Sequence, residues 1–221
     1  MSSQVRVVEL REYTLIPSRA VDYLTVTAAS ADLRKSLVPL RLFATTDTGG
    51  NLNVGRYGGG GAGTQTAAFL AGGQKAPGLA NETELYNGTN WSTANTINTA
   101  RRYFPGVGTT TAGLIFGGTP PDTGATESYN GTNWTEVADL NTARQFLAGA
   151  GANNTAALGF GGYASSAFKN ETELWNGSSW TEVNNLNTAR SILAGAGADN
   201  TSAQANSGGQ GPGASFQAPT E

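Results

Sequence analysis

Trp91, Trp134 and Trp180 recur at nearly even spacing, each following by five residues another aromatic: Tyr86, Tyr129 and Trp175. Paired aromatics at a fixed interval can stack on sugar rings or fill a core, and one pair per period favours the core. Arg101, Arg144 and Arg190 each lie ten residues after a tryptophan. They could hold an acidic ligand, or close a loop by bonding to backbone carbonyls, and their regular recurrence favours the loop. The run Gly58-Gly59-Gly60-Gly61-Ala62-Gly63 has the look of a phosphate-binding loop. Such a loop requires Lys-Ser/Thr after its last glycine, opening a helix. Here Thr64-Gln65-Thr66 leads into an apolar stretch, and similar runs, GAGANN and GAGADN, occur later. Asn-x-Ser/Thr sequons at Asn81, Asn87, Asn90, Asn130, Asn133, Asn153, Asn170, Asn176 and Asn200 offer glycosylation acceptors. They read more simply as turn chemistry in a Thr-rich chain. The carboxylates are scattered, no pair is spaced for acid–base work, and Asp122, Asp139 and Asp199 do not make a calcium-loop pattern.

The chain contains neither histidine nor cysteine. Ser-His-Asp triads, Cys-His dyads, Cys/His zinc sites and disulfides are thereby excluded together. No catalytic residue, no metal ligand and no cofactor is expected. Only 13% of residues are charged, 38% are hydrophobic and 31 are glycine, with a net charge of −3. Such a chain suits many short strands joined by tight turns. It lacks the basic field that would attract nucleic acid or anionic lipid. No apolar run approaches the roughly 20 residues of a membrane span. The opening MSSQVRVVELREYTL lacks the apolar core of a signal peptide, so synthesis in a cytoplasm is expected.

Three sentences of near-identical wording organise the chain: NETELYNGTNWSTANTINTAR, ATESYNGTNWTEVADLNTAR and NETELWNGSSWTEVNNLNTAR. Gly-Gly pairs at Gly72-Gly73, Gly117-Gly118, Gly161-Gly162 and Gly208-Gly209 are spaced 45, 44 and 47 residues apart, within the roughly 40 to 50 residues of propeller-type repeats. Each unit parses into four strand-like pieces: an apolar one ending on the glycines (TAAFLAGG, TAGLIFGG, TAALGFGG), an alternating one (TELYNG, TESYNG, TELWNG), one carrying the tryptophan (NWSTA, NWTEV, SWTEV), and a glycine-rich one (FPGVGTTT, FLAGAGANN, ILAGAGADN). Asn-Gly between the second and third marks a hairpin turn with positive φ. Residues 56–205 are therefore expected to be almost entirely antiparallel β.

Gly-Gly, an aromatic before a turn, a tryptophan after it and an arginine closing the link resemble the kelch motif. Gly72, Gly73, Tyr86, Trp91 and Arg101 match it in order, as do Gly117, Gly118, Tyr129, Trp134 and Arg144, and Gly161, Gly162, Trp175, Trp180 and Arg190. The resemblance implies β-propeller blades, with the tryptophan packed between neighbours. The wording NGTNWTEV, LNTAR, LAGAG is similar to kelch-like repeats in virion structural proteins of tailed phages that infect marine bacteria, especially cyanobacteria.

In the fourth unit, TSAQANSGG places Gln204, Asn206 and Ser207 where the others carry Leu or Phe, and a Gly/Pro-rich tail over 206–221 replaces the turn and the tryptophan strand. Three whole repeats and one broken one leave apolar faces and strand edges for a partner to cover. Three origins fit the break: missing strands supplied by another chain, a disordered remnant, or a longer parent protein. Residues 1–55 read as a small α+β module, with strand VRVVELREYTL, a helix over 18–37, strand VPLRLFATT, a turn at Asp47–Gly50 and a short strand LNVGRY. ELREYTLIPS and VPLRLFATTDTGGNLN resemble the start of the ferredoxin-like NIPSNAP domain, and the module is expected to serve assembly.

The sequence thus predicts a mainly β protein and a non-enzymatic virion component, capsid- or tail-associated, for assembly and host-surface adhesion. Its partners would be copies of itself, other virion proteins and a host glycan or protein. The alternative is a cellular kelch-type scaffold, which a companion BTB or F-box domain would favour and which none supports. A propeller enzyme of the galactose oxidase kind would need His, Tyr and Cys at copper, and two of these types are absent.

Overall fold

A computed structural model describes residues 49–209. The expected helix over 18–37 and the strands before Gly49 lie outside the described residues, as do residues 210–221 of the tail. Over residues 49–209 the regular structure is all β, with no helix, and hence none long and apolar enough to cross a membrane.

Three four-stranded antiparallel sheets follow one another in sequence. The first comprises β1 (Gly60–Thr64), β2 (Ala67–Gln74), β3 (Leu79–Tyr86) and β4 (Trp91–Ala94) in spatial order. The second repeats the order with β5 (Gly106–Thr109), β6 (Ala112–Phe116), β7 (Thr126–Tyr129) and β8 (Trp134–Val137). In the third, β9 (Ala148–Asn153) and β10 (Ala156–Phe160) are followed by a two-stranded ribbon, β11 (Tyr163–Ala164) and β12 (Ala167–Phe168), before β13 (Thr172–Trp175) and β14 (Trp180–Val183) complete the sheet. A fourth element holds only β15 (Ala194–Gly197) and β16 (Ala203–Asn206).

The glycine-rich piece opens each sheet rather than closing the preceding unit. Only two residues separate it from the apolar strand that follows, as between Thr109 and Ala112, and so short a loop makes those two strands antiparallel neighbours. The long Asn-Thr-Ala-Arg link, by contrast, carries the chain from one sheet to the next. Successive opening strands, β1, β5, β9 and β15, then lie beside one another. Small residues permit that approach: a Cβ on Gly106 would sit 2.7 Å from the Gly61 nitrogen.

The Asn-Gly turns also differ in detail from the expectation. Glycine alone takes positive φ, 95° at Gly88, 92° at Gly131 and 93° at Gly177. The asparagine instead uses its side chain: Asn87 Oδ1 accepts from the backbone N–H of Thr89 and Asn90, and Asn130 and Asn176 do the same in their turns. The turn sets Tyr86 opposite Trp91, Tyr129 opposite Trp134 and Trp175 opposite Trp180.

The short strand expected at LNVGRY is an irregular segment, with only a single bridge from Tyr57 to Gln74. Leu52-Asn53 and Arg56 repeat the Leu-Asn-x-x-Arg of the later links and dock on the first sheet as those links dock on theirs. The fourth glycine pair is displaced by one residue. Ser207 (φ 55°) and Gly208 (φ 107°) take the backbone of Gly161 (φ 63°) and Gly162 (φ 112°), and Gly209 bridges to Ser191 as Tyr163 bridges to Gln145. At Gly161 a Cβ would meet the Arg190 carbonyl oxygen at 2.7 Å. Ser207 thus carries a side chain where its three counterparts are glycine.

Candidate functional site

The candidate site is the seam between consecutive four-stranded sheets, built by one set of residue types at both joints, with its glycine and arginine threads repeated where the third sheet meets β15 and β16. The first thread is backbone. The second glycine of each pair donates its N–H to the carbonyl of the arginine in the next link: Gly73 to Arg101 at 2.8 Å, Gly118 to Arg144 and Gly162 to Arg190, both at 2.9 Å. The first glycine makes room, since a Cβ on Gly72 would lie 3.0 Å from the Arg101 carbonyl oxygen, and one on Gly117 2.7 Å from that of Arg144.

The arginine side chain then reaches forward into the following sheet. Arg101 donates to the Gly117 carbonyl at 3.0 Å and pairs with Glu127. Arg144 pairs with Glu173 at 2.6 Å and donates to the Gly159 carbonyl at 3.4 Å, and Arg190 donates to the Ala205 carbonyl at 3.3 Å. Arg56 makes the matching pair with Glu84 at 2.9 Å. All of these arginines and glutamates are buried on their side chains where paired. Each glutamate has further donors that offset its loss of water. The backbone and side-chain amides of Asn98 both donate to Glu127, those of Asn141 to Glu173, and the Asn53 backbone to Glu84. The arginines do bond to carbonyls, as their recurrence suggested. The glutamate partners and the asparagine donors were not foreseen, although Thr-Glu and Leu-Asn recur as regularly as Arg.

The tryptophans reach backward. Trp134 on β8 donates through Nε1 to Thr83 Oγ1 of the first sheet at 2.8 Å, and Trp180 on β14 to Thr126 Oγ1 of the second at 3.1 Å. Their rings meet Phe69 and Phe116 edge-on, with centroids 5.7 and 4.7 Å apart. Both indoles are buried, leaving no open face for a sugar. Trp91 has no earlier sheet to enter among the described residues. It stays half-buried, against Tyr86 at 5.2 Å. Burial in the seam pushes the Tyr129 phenol above its ordinary pKa.

Outside the seams, a ledge of larger side chains crosses the links. Tyr103, Phe146 and Ile192 all have left-handed backbone, φ 61°, 55° and 56°. A ladder ties them: Tyr103 N–H donates to the Gly58 carbonyl, Phe146 to Tyr103 and Ile192 to Phe146. Tyr103 stacks on Phe146 at 4.2 Å, the Arg102 guanidinium lies 4.7 Å from the Tyr103 ring centre, and Tyr57 and Ile192 are exposed at the two ends. Bulky residues in this region signal strain held by the surrounding structure. No sequence signal marked them, because the position is shared by residues of different type.

Two titratable groups are shifted on the surface. A hydrogen bond from Lys75 holds the Glu82 carboxyl below its usual range, and the Thr201 hydroxyl does the same for Asp199. Among the described residues no three His, Cys, Asp or Glu side chains gather where they could share a cation. Gly58–Gly63 runs into β1, and the clefts along the opening strands are lined by Gly, Ala, Val, Leu, Phe and Pro, without a titratable group. The arrangement can therefore hold sheets together and present surfaces.

No protein-family model matches the chain, and none of the curated proteins matches it.

Proposed function

We propose that the chain is a non-enzymatic structural protein of a tailed-phage particle, capsid- or tail-associated, whose sheets serve as kelch-like β-propeller blades for assembly and host-surface adhesion. One observation carries the reading: the same seam of glycine pair, arginine, glutamate and tryptophan is made at both joints between four-stranded sheets, and parts of it stand unused elsewhere among the described residues. Trp91 is half-buried where its counterparts are buried, and β16 has a free edge among the described residues. Surfaces of this kind suit association with copies of the chain or with other particle proteins. The near-identity of the units, and their likeness in wording to the phage repeats quoted above, support the virion assignment. The aromatic ledge is the face best suited to a host glycan or protein.

Mass spectrometry and antibody labelling of purified particles of the phage encoding the chain test the assignment. Stoichiometric recovery in the particle is expected, and recovery only from the soluble lysate overturns it. Light scattering at micromolar concentration tests assembly. An oligomer is expected, and a well-folded monomer with a cooperative melt refutes it.

A further inference from the structure

The units repeat their seams in nearly the same words and differ most beside the aromatic ledge. The residue after the link arginine is Tyr57, Arg102, Gln145 and Ser191 in turn. The loop after the glycine pair reads QKAPGLANE, TPPDTGA and YASSAFKNE. The two variable stretches lie side by side, since Tyr57 bridges to Gln74, Arg102 to Thr119 and Gln145 to Tyr163. Repeats that keep their joints and vary their loops on one face often bind with that face.

Arg102 is distinct among the cations here. Arg56, Lys75, Arg101, Arg144 and Lys169 each pair with a glutamate, whereas among the described residues no carboxylate pairs with Arg102. Its Nη1 donates to the neutral Oε1 of Gln74 at 2.8 Å, and its Nε is buried without a hydrogen-bond partner. Gln74 is held in turn, its side-chain amide donating to the carbonyls of Lys75 and Gly78. The guanidinium is thereby fixed over the Tyr103 ring, 4.7 Å from its centre, with donors to spare. Tyr57, 59% exposed, sets its ring 6.4 Å from that of Tyr103. The main chain offers a ligand little. Tyr57 and Arg102 exchange both backbone hydrogen bonds with Gln74 and Thr119, and the ladder uses the N–H groups of Tyr103, Phe146 and Ile192. A ligand must be held by side chains, which suits a sugar better than an extended peptide, whose affinity comes from backbone bonds.

We infer that Tyr57, Arg102 and Tyr103 form a subsite for a carboxylate-bearing sugar, a uronate-type residue of a surface glycan. The guanidinium fork matches the two oxygens of the carboxylate, and the apolar face of the pyranose lies on the Tyr57 ring. Gln74 is the positioning residue that aims the fork. The inference rests on the adhesion reading above and deepens it by naming the chemistry of the ligand.

Calorimetric titration of the full-length chain with hexagalacturonate, its methyl ester, a sulfated galactose hexamer and hexaglutamate tests the subsite. Saturable binding of hexagalacturonate is expected, and the ester, which keeps the sugar and loses the charge, binds at least about tenfold more weakly. Arg102→Met weakens uronate binding about ten- to a hundredfold. Arg102→Lys, which keeps the charge without the fork, falls between it and the unaltered chain. Tyr57→Ala weakens binding while leaving the melting temperature unchanged, because the ring is exposed. The ester needs no altered protein and decides the point should Arg102→Met fail to fold. Absence of saturable uronate binding overturns the inference, as does equal affinity for acid and ester. Binding of hexaglutamate or of the sulfated hexamer as tight as that of hexagalacturonate overturns it too. A chain recovered stoichiometrically in the particle that ignores hexagalacturonate loses this subsite and keeps its place in the virion.

Discussion

The indole nitrogen of Trp134 donates to the hydroxyl of Thr83 at 2.8 Å across 51 residues of sequence. The contact joins the last strand of one sheet to the third strand of the sheet before, in a region where both residues are buried. Trp134→Ala removes the ring from the cluster of Phe69, Ile97, Phe104, Ile115 and Tyr129 and strands the Thr83 hydroxyl. A loss of about 3 to 5 kcal/mol is expected, the range for large-to-small core changes. Thermal and denaturant melts measure it, and an unchanged melting temperature contradicts a core role.

Thr126 and Thr172, at equivalent places in the second and third sheets, should respond differently to one substitution. Thr126→Val leaves the Trp180 N–H buried without an acceptor, at a cost of about 1 to 3 kcal/mol. Thr172→Val deletes a hydroxyl that bonds to nothing and is neutral or stabilising. Parallel melts of the two variants decide it, and equal destabilisation would show that Thr172 has a partner in solution.

Arg144 and Glu173 pair at 2.6 Å with both side chains buried. Removing one partner leaves the other charge out of water. Arg144→Met or Glu173→Gln should each cost about 3 to 5 kcal/mol. The double variant should cost much less than the sum, and a double-mutant cycle on denaturant midpoints checks the coupling. Additive losses would mean that the two groups act separately.

Gly117 and Gly78 both have positive φ, 73° and 91°, but their surroundings differ. A Cβ at Gly117 would lie 2.7 Å from the Arg144 carbonyl oxygen, while nothing lies within 4 Å at Gly78. Gly78→Ala should cost about 1 to 2 kcal/mol, from backbone conformation alone. Gly117→Ala adds a further 1 to 3 kcal/mol, roughly the cost of overpacking. Equal melting temperatures for the two variants would remove the close approach from the account of the glycine pairs.

Ile192 combines a β-branched side chain, a left-handed backbone at φ 56° and 71% exposure. It contributes little packing in return for that conformation. Ile192→Gly should raise stability by about 1 kcal/mol, the difference between the left-handed penalty of an L-residue and the added freedom of glycine in the unfolded chain. A lowered melting temperature would mean that the exposed isoleucine packs against something in solution.

Much of the repeat was legible in the sequence because it rests on local chemistry. Asn-Gly fixed the hairpins, apolar runs ending on glycines marked the buried strands, and Arg101, Arg144 and Arg190 announced carbonyl-bonding links. The grouping of strands into sheets was harder to read. Periodicity gives the length of a unit but not its phase, and only the two-residue loop after the glycine-rich strand of each four-stranded sheet tells which neighbour it joins. Arg56 was missed because a single Leu-Asn-x-x-Arg without its tryptophan sat beside residues read as a different module. The glutamates were missed because a buried charge is visible only through its partner, here in another sheet. The fourth glycine pair was placed one residue late because Ser207 stands in a seat that its three counterparts give to glycine.

Both joints between four-stranded sheets are cut from residues that lie on either side in the same sequence motif, so one such unit can follow another. Insertion or loss of one whole period leaves each remaining joint intact, whereas removal of part of a period spoils two. Near-identical units also invite unequal recombination between them. The length of the array is thus a quantity that can change in single steps without a new interface having to arise.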